Sequence, residues 1–363
     1  MQAQPTKRWQ RLTGALSLLL LVSTLFLSAC TTARGQATDT SAAPVQPTLS
    51  PFWQTATARV DAVSNATKPA FRPFESPAPI ITTITTATPA AAAPIPANPT
   101  GLVASATAPA ATPSGSQLLD QTFFSATLGR AMPYFVYLPV GYAESGKRYP
   151  VLYMLHGYGG SNTEWIGYGL PETADHMMNA GEIPPMILVL PQGDQAYWVN
   201  HANNGERWGD YTAHDVVQQI DATYRTIPDA PHRAVGGLSM GGHAAMQLAI
   251  NYPGTFGVVG MHSPTLRDYD TALEYFGDEQ FFDAHDPTHL VQAHPEIARQ
   301  LKISVDVGEQ DADWHDRTVT FHDLLTRLNI PHAWYTWPGE HDAVYWGGHC
   351  ADYLRFYATA LAG

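Results

Sequence analysis

The chain has 363 residues, with 32 acidic against 19 basic side chains, a formal net charge of −13 and a pI near 5.5. Phosphate binding requires clustered Lys and Arg, so this acidity argues against nucleic acid as a partner. Hydrophobic residues make up 45% of the chain, enough for a core, and two cysteines, Cys30 and Cys350, predict neither a disulfide framework nor a zinc site.

The N-terminus has the pattern of an export signal. Lys7, Arg8 and Arg11 precede an apolar run over 16–27, which is too short to span a bilayer comfortably. The run ends in Leu-Ser-Ala-Cys at 27–30, which resembles a bacterial lipobox. We therefore expect residues 1–29 to be a lipoprotein signal peptide and Cys30 to carry the lipid that tethers an exported protein to the cell envelope. An ordinary cleaved signal and an uncleaved anchor are the alternatives.

Residues 30–116 are rich in Ala, Pro, Thr and Ser, with few charges and no sustained period of 3.6 or 2. Such a segment buries too little apolar area to offset the entropy lost on ordering. It is predicted to be a disordered tether, partly of polyproline type.

From residue 117 to 363 apolar runs and amphipathic segments alternate. The predicted strands are 118–127, 132–139, 151–155, 186–190, 232–238, 256–261, 301–307 and 333–337. The predicted helices are 171–179, 212–225, 240–252, 314–328 and 343–360. This alternation indicates an α/β domain with a mainly parallel sheet and helices on both faces, joined by an antiparallel N-terminal hairpin. Reactive groups are then expected at the carboxyl ends of the strands.

The stretch Gly236-Gly237-Leu238-Ser239-Met240-Gly241-Gly242 lies between a predicted strand and a predicted helix. It fits G-x-S-x-G, the tight turn that lifts a nucleophilic serine clear of both elements and needs little side-chain bulk two residues to either side. A glycine-rich loop after a strand is the alternative, and a serine also needs a base and an acid to be nucleophilic.

His341 follows the last predicted strand in a glycine-containing loop, where an imidazole can lie over Ser239, and is the predicted base. Asp311 follows the preceding strand and is the predicted acid that orients it; Asp306 and Asp313 are the alternatives. The order Ser, Asp, His along the chain is the one found in α/β-hydrolases.

A developing oxyanion needs backbone N–H donors, and Met240 supplies one directly after the serine. The loop at 156–160, His-Gly-Tyr-Gly-Gly, follows an early strand, and the Tyr158 N–H is the second predicted donor. His156 is expected to brace this loop rather than to act as a base.

These four motifs, at 156–160, 237–242, 308–311 and 339–342, together resemble the putative esterase family, which includes esterase D, bacterial feruloyl and acetylxylan esterases and antigen 85 mycolyltransferases. The resemblance covers about residues 118–361. It implies an α/β-hydrolase fold, the triad Ser239, Asp311 and His341, the oxyanion donors Tyr158 and Met240, and no metal or other cofactor.

The resemblance implies a serine esterase acting on small-molecule or glycan esters, acylated sugars among them, and the N-terminal signal implies that this esterase is exported. An acyltransferase to a sugar hydroxyl and a non-catalytic surface-binding lipoprotein are the alternatives. In the excursion at 195–211, Trp198, Arg207 and Trp208 are candidate substrate contacts, and 264–285 is a candidate lid. Packing of surface loops is the competing interpretation of both excursions.

Overall fold

The computed structural model describes residues 115–362. Cys30, the signal peptide expected at 1–29 and all but the last two residues of the tether expected at 30–116 lie outside the described residues, so these assignments stay predictions. Between residues 115 and 362, no helix combines the length and the apolarity that crossing a bilayer would demand.

The described part of the chain forms an eight-stranded sheet. The strands are β1 (Gln117–Ser125), β2 (Arg130–Leu138), β3 (Val151–Leu155), β4 (Ile187–Pro191), β5 (Arg233–Leu238), β6 (Val258–His262), β7 (Lys302–Gly308) and β8 (His332–Trp337). Their order across the sheet is β1-β2-β4-β3-β5-β6-β7-β8. Neighbours from β4 to β8 pair in parallel, whereas β1 pairs with β2, and β2 with β4, in antiparallel fashion.

Helices cover both faces of this sheet. The α-helices are α1 (Tyr142–Ser145), α2 (Glu164–Gly167), α3 (Leu170–Asn179), α4 (Trp208–Asp210), α5 (Val217–Thr223), α6 (Met240–Asn251), α7 (Glu279–Asp283), α8 (Pro287–Ala293), α9 (Pro295–Ala298), α10 (His315–Arg327), α11 (Ala343–Gly348) and α12 (Cys350–Leu361). Short 3₁₀ helices lie at Ala230–His232, Tyr269–Thr271 and Glu274–Phe276, and a π-helix at Tyr211–Val216.

The central strands are apolar on both sides because each face of the sheet has its own core. Val151, Tyr153 and Leu155 of β3 belong to one hydrophobic cluster. Leu152 and Met154 belong to the other. Since successive side chains of a strand point to opposite faces, a strand between two helical layers must be apolar throughout. The predicted α/β class, with a mainly parallel sheet, an antiparallel hairpin and helices on both faces, is confirmed.

Two predicted helices are interrupted. The helix predicted at 343–360 divides into α11 and α12 at His349, directly after Gly347 and Gly348, which favour helix poorly. The helix predicted at 212–225 contains the π-helix Tyr211–Val216 before α5. There the Thr212 hydroxyl donates to the Trp208 carbonyl over 2.8 Å and competes with the backbone for that acceptor.

Candidate active site

Ser239 occupies a strained turn between β5 and α6, with φ 54° and ψ −115°. A non-glycine residue seldom adopts this conformation, and such strain persists only where the surroundings fix the backbone. The Ser239 N–H donates to the His262 carbonyl over 2.9 Å, and the Ser239 carbonyl accepts from the N–H groups of His243 and Thr265. The turn is therefore held by hydrogen bonds from both sides.

Close approach of β3 explains the two glycines that flank the serine. A Cβ on Gly237 would lie 2.6 Å from the Leu155 carbonyl oxygen, and one on Gly241 would lie still closer to that atom. Any side chain at either position would force the elbow away from β3, which carries the loop next to Ser239.

The structure brings the three predicted triad residues together from the carboxyl ends of three strands. His341, after β8, places Nε2 2.9 Å from Ser239 Oγ. Its Nδ1 lies 2.7 Å from Oδ2 of Asp311, which follows β7. Asp311 is 1% exposed, and its Oδ1 accepts the Trp314 N–H over 3.0 Å. Both carboxylate oxygens are thus engaged, and the imidazole has one orientation.

This hydrogen-bond chain assigns the protons. Because a carboxylate only accepts, the His341 Nδ1–H donates to Asp311 and Nε2 is left to accept the Ser239 hydroxyl proton. The rings of Trp346 and Trp314 flank the imidazole, with centroids 4.8 and 6.4 Å from it. The arrangement can take a proton from the serine and return it to a leaving group.

Asp306, one of the two alternative acids, belongs to a different His–Asp pair. His262 Nδ1 lies 2.6 Å from Oδ2 of Asp306, and both side chains are buried. Oδ1 of the same carboxylate accepts the hydroxyls of Tyr345 and Tyr353 over 2.9 and 3.2 Å. The Tyr357 hydroxyl lies 2.8 Å from His262 Nε2. Asp306 stands between Val305 and Val307 in β7, and an acidic residue between two valines of a strand was the sequence signal for this buried network.

The network reaches Ser239 through His262, whose carbonyl oxygen accepts a hydrogen bond from the Ser239 N–H. Burial and, to a smaller extent, the negative charge of Asp306 raise the pKa of Tyr357 well above its ordinary value, so the Tyr357 hydroxyl stays protonated. Gly236 and Gly260 leave the room that this hydroxyl fills. Gly236 therefore serves the packing of α12 beneath the elbow.

The predicted oxyanion loop, residues 156–160, lies against the elbow. A Cβ on Gly157 would be 3.5 Å from the Ser239 Cβ and 2.5 Å from a Leu238 methyl group. Between residues 115 and 362, the N–H groups of Tyr158 and Met240 take part in no hydrogen bond. Two donors next to the serine are thus left for a ligand oxygen, as an oxyanion site requires.

His156 holds this loop in place. Its Nδ1 lies 2.9 Å from the Gly157 carbonyl oxygen, and its Nε2 accepts the Gly193 N–H over 2.9 Å. Burial lowers the pKa of His156 to about 4, which keeps the imidazole neutral, with Nδ1–H as the donor. With both nitrogens bound to backbone, His156 acts as a brace.

Glu164, on α2, is a site residue that sequence reasoning missed. Its Oε2 accepts the Gly157 N–H over 2.7 Å, and its Oε1 accepts the Tyr168 hydroxyl over 3.1 Å. Burial raises the pKa of Glu164, while these two hydrogen bonds and the nearby His341 oppose the rise. A carboxylate under the loop fixes the amide beside the proposed oxyanion donor.

The predicted substrate contacts Trp198 and Trp208 lie in the core, 0% and 1% exposed, and offer no surface to a substrate. Trp198 fills the space above Gly193 and packs 5.0 Å from the His156 ring, so it supports the oxyanion loop. Arg207 is exposed and forms an ion pair with Asp210. Loop packing thus accounts for these three side chains.

The candidate lid, 264–285, is fastened to the 195–211 excursion. The Tyr275 hydroxyl donates to the Gln195 carbonyl over 2.9 Å, and the Ala202 N–H donates to the Tyr275 carbonyl over 2.8 Å. The Tyr275 ring stacks on His201 at 4.2 Å. The two excursions therefore form one wall beside the site.

Comparison with known proteins gives consistent matches. Residues 125–362 match the family described as "Putative esterase". An esterase of Mycobacterium tuberculosis is 26% identical over 241 residues, covering 57% of this chain and 51% of that protein. An endo-1,4-beta-xylanase/feruloyl esterase of Xylanibacter ruminicola is 33% identical over 150 residues, covering 39% of this chain and 21% of that protein. The chain thus spans about half the length of the mycobacterial esterase and 21% of the length of the xylanase/feruloyl esterase.

The solved structure of a ferulic acid esterase superimposes with a TM-score of 0.62 at 25% identity. The superposition covers 68% of this chain and 100% of the ferulic acid esterase chain. The fold is therefore that of the α/β-hydrolase esterases, as the sequence motifs predicted.

Proposed function

Since this chain belongs to the putative esterase family, we propose that it is a serine esterase that hydrolyses carboxylic esters through Ser239, His341 and Asp311. The observation that carries the proposal is the unbroken hydrogen-bond chain from Ser239 Oγ through the His341 imidazole to Asp311, with distances of 2.9 and 2.7 Å.

In the first step His341 Nε2 removes the proton of Ser239 as its Oγ attacks the ester carbonyl carbon. The carbonyl oxygen gains negative charge and accepts hydrogen bonds from the N–H groups of Tyr158 and Met240. Asp311 stabilises the imidazolium without taking its proton. The imidazolium then protonates the leaving alkoxide, which departs as the alcohol and leaves an acyl group on Ser239.

In the second step water replaces the alcohol. His341 takes a proton from the water while the water oxygen attacks the carbonyl carbon of the acyl-enzyme. The N–H groups of Tyr158 and Met240 again donate to the oxyanion. Collapse of this intermediate breaks the bond to Ser239 Oγ, which recovers its proton from His341, and releases the carboxylic acid.

For the substrate we infer acylated sugars, in which a carboxylic acid is esterified to a sugar hydroxyl. Support comes from the feruloyl esterases among the similar proteins and from the aromatic wall that the excursions at 195–211 and 264–285 build beside the site. An ester panel with short acyl, feruloyl and long acyl groups measures this preference. Highest kcat/KM for long acyl groups on a simple alcohol would contradict it.

We also propose that the protein is exported and held at the cell envelope by lipid on Cys30, as the residues at 7–30 predict. The test is fractionation of expressing cells with the wild type and Cys30→Ser. The wild type is expected in the membrane fraction and the variant outside it; equal distribution of both contradicts the lipid anchor.

The catalytic proposal is tested with p-nitrophenyl acetate. The wild type is expected to turn it over, and Ser239→Ala to reduce kcat by at least about a thousandfold. Ser145→Ala, an exposed serine on α1, is the matched control and should retain the wild-type rate. Equal rates for wild type and Ser239→Ala would end the proposal. Added trehalose or xylo-oligosaccharide measures how much acyl group goes to a sugar hydroxyl instead of water.

A further inference from the structure

Arg267 lies on a segment that is fastened beside the nucleophile. Two residues earlier, the Thr265 N–H donates to the Ser239 carbonyl over 3.2 Å. On either side of Arg267, the Leu266 carbonyl and the Asp268 carboxylate both accept from Arg317, over 3.1 and 2.6 Å. The backbone that carries Arg267 is thus fixed relative to the elbow.

The guanidinium of Arg267 lies near two aromatic rings, that of the partly buried Trp314 and that of the fully buried Tyr197. Its Nε donates to the Tyr197 hydroxyl over 3.0 Å, and its central carbon is 5.2 Å from the centroid of the Trp314 ring. The Trp314 ring neighbours His341 at 6.4 Å, and the Tyr197 ring neighbours Tyr158 at 6.2 Å. Arg267 therefore contacts a neighbour of His341 on one side and a neighbour of the Tyr158 ring on the other.

This cation has no carboxylate partner in the described part of the chain. The adjacent Asp268 is engaged by Arg317, and within residues 115–362 no acidic oxygen lies within 4.0 Å of the Arg267 guanidinium. Within the same residues only Nε forms a hydrogen bond, which leaves both terminal nitrogens as donors. Arg267 is partly buried, so its charge is screened less than that of an exposed arginine.

A planar guanidinium with two open donors matches the geometry of a carboxylate, which it binds through two parallel hydrogen bonds. We propose that Arg267 is a specificity residue that binds a carboxylate on the ester substrate, so that the preferred substrates are anionic esters. The proposal rests on the esterase function above and adds the chemical class of its substrate.

A purely structural Arg267 would behave differently. The contacts with Tyr197 and Trp314 hold the wall of the site whatever the charge of the substrate. Loss of such support lowers kcat/KM for neutral and anionic esters by the same factor. Loss of an anion site lowers it selectively for the anionic ester.

The experiment compares isosteric ester pairs with the full chain. The mono-p-nitrophenyl ester of glutaric acid and its terminal amide carry the charge, or its neutral replacement, on the acyl side. 4-Acetoxybenzoate and 4-acetoxybenzamide do the same on the alcohol side. The variants are Arg267→Gln, Arg267→Lys and, as the matched loss of an exposed charge on α10, Arg327→Gln.

For one of the two pairs, the wild type is expected to prefer the anionic ester in kcat/KM by about 10- to 100-fold, the usual worth of a charged hydrogen bond. Arg267→Gln should abolish this preference with neutral esters still turned over, Arg267→Lys should retain part of it, and Arg327→Gln all of it. Absence of a preference in both pairs, or an equal preference in wild type and Arg267→Gln, overturns the proposal.

Calorimetric titration of the Ser239→Ala variant measures the affinity of the anion site for an ester that the variant does not hydrolyse. The protein should bind the preferred anionic ester more tightly than its neutral isostere, and adding Arg267→Gln should remove that difference. Failure of the wild type to hydrolyse any ester would refute the serine mechanism alone. Equal binding of charged and neutral ligands would refute the anion site alone.

Discussion

Replacement of Gly236 by alanine tests the packing beneath the elbow. The new Cβ would lie 2.7 Å from Cζ of Tyr357, closer still to its hydroxyl oxygen, and 3.3 Å from the Gly260 carbonyl oxygen. Overpacking of this kind costs about 1–3 kcal/mol. Displacing the buried hydroxyl also breaks its bond to His262, which costs about 1–3 kcal/mol more. We expect a loss of about 2–6 kcal/mol in the free energy of unfolding.

Urea unfolding monitored by tryptophan fluorescence measures this loss, and a double-mutant cycle with Tyr357→Phe assigns it. Because both single changes break the same hydrogen bond, the double variant should be less destabilised than their sum by about 1–3 kcal/mol. Gly348→Ala, at a glycine with open space around it, is the control and should not destabilise the fold. Additive losses, or a Gly236→Ala protein as stable as the wild type, would refute the reasoning.

Two further predictions concern the site. Asp311→Asn should lower kcat/KM for p-nitrophenyl acetate by about a thousandfold or more, because the His341 tautomer is then no longer fixed. Asp313→Asn is the control and should leave kcat/KM unchanged. A large loss in Asp313→Asn with none in Asp311→Asn would show that the acid is misassigned. Because burial raises the pKa of Glu164, the wild type loses stability as pH rises above about 4.5 and through that raised pKa. Glu164→Gln, which can keep the contacts with Gly157 and Tyr168, should therefore gain in urea midpoint over the wild type from pH 4.5 upward and match it below. A gain that is equal at all pH values would contradict this assignment.

Most of the fold follows from local patterns in the sequence. The continuous apolar run of β3 and the helical period of the 212–225 segment are both local signals, and each element lies within about two residues of its prediction, apart from the π-helical start of the second. The break at His349 has a local signal in Gly347 and Gly348, which the prediction of one helix from Ala343 to Ala360 did not use.

The placement of the three proposed triad residues could be anticipated because each follows the end of a strand, and parallel strands end at one edge of the sheet. The residues that hold these three in place could not be anticipated. Glu164 contacts the oxyanion loop only because α2 turns back beneath it, and the His262–Asp306 pair joins positions 44 residues apart through the register of β6 and β7. Such contacts depend on three-dimensional packing, which leaves no spacing rule in the sequence.

The tyrosines that surround Asp306 come from the last two helices of the fold, whereas the serine comes from its middle. A ribosome has synthesised all three proposed triad residues by position 341, yet Tyr345, Tyr353 and Tyr357 are still missing from the cluster that holds His262 beside Ser239. A nascent chain stalled at that point would contain the proposed triad without the three tyrosines that bind His262 and Asp306. Activity should thus arise as one of the last events in the biogenesis of this domain, after α12 has docked.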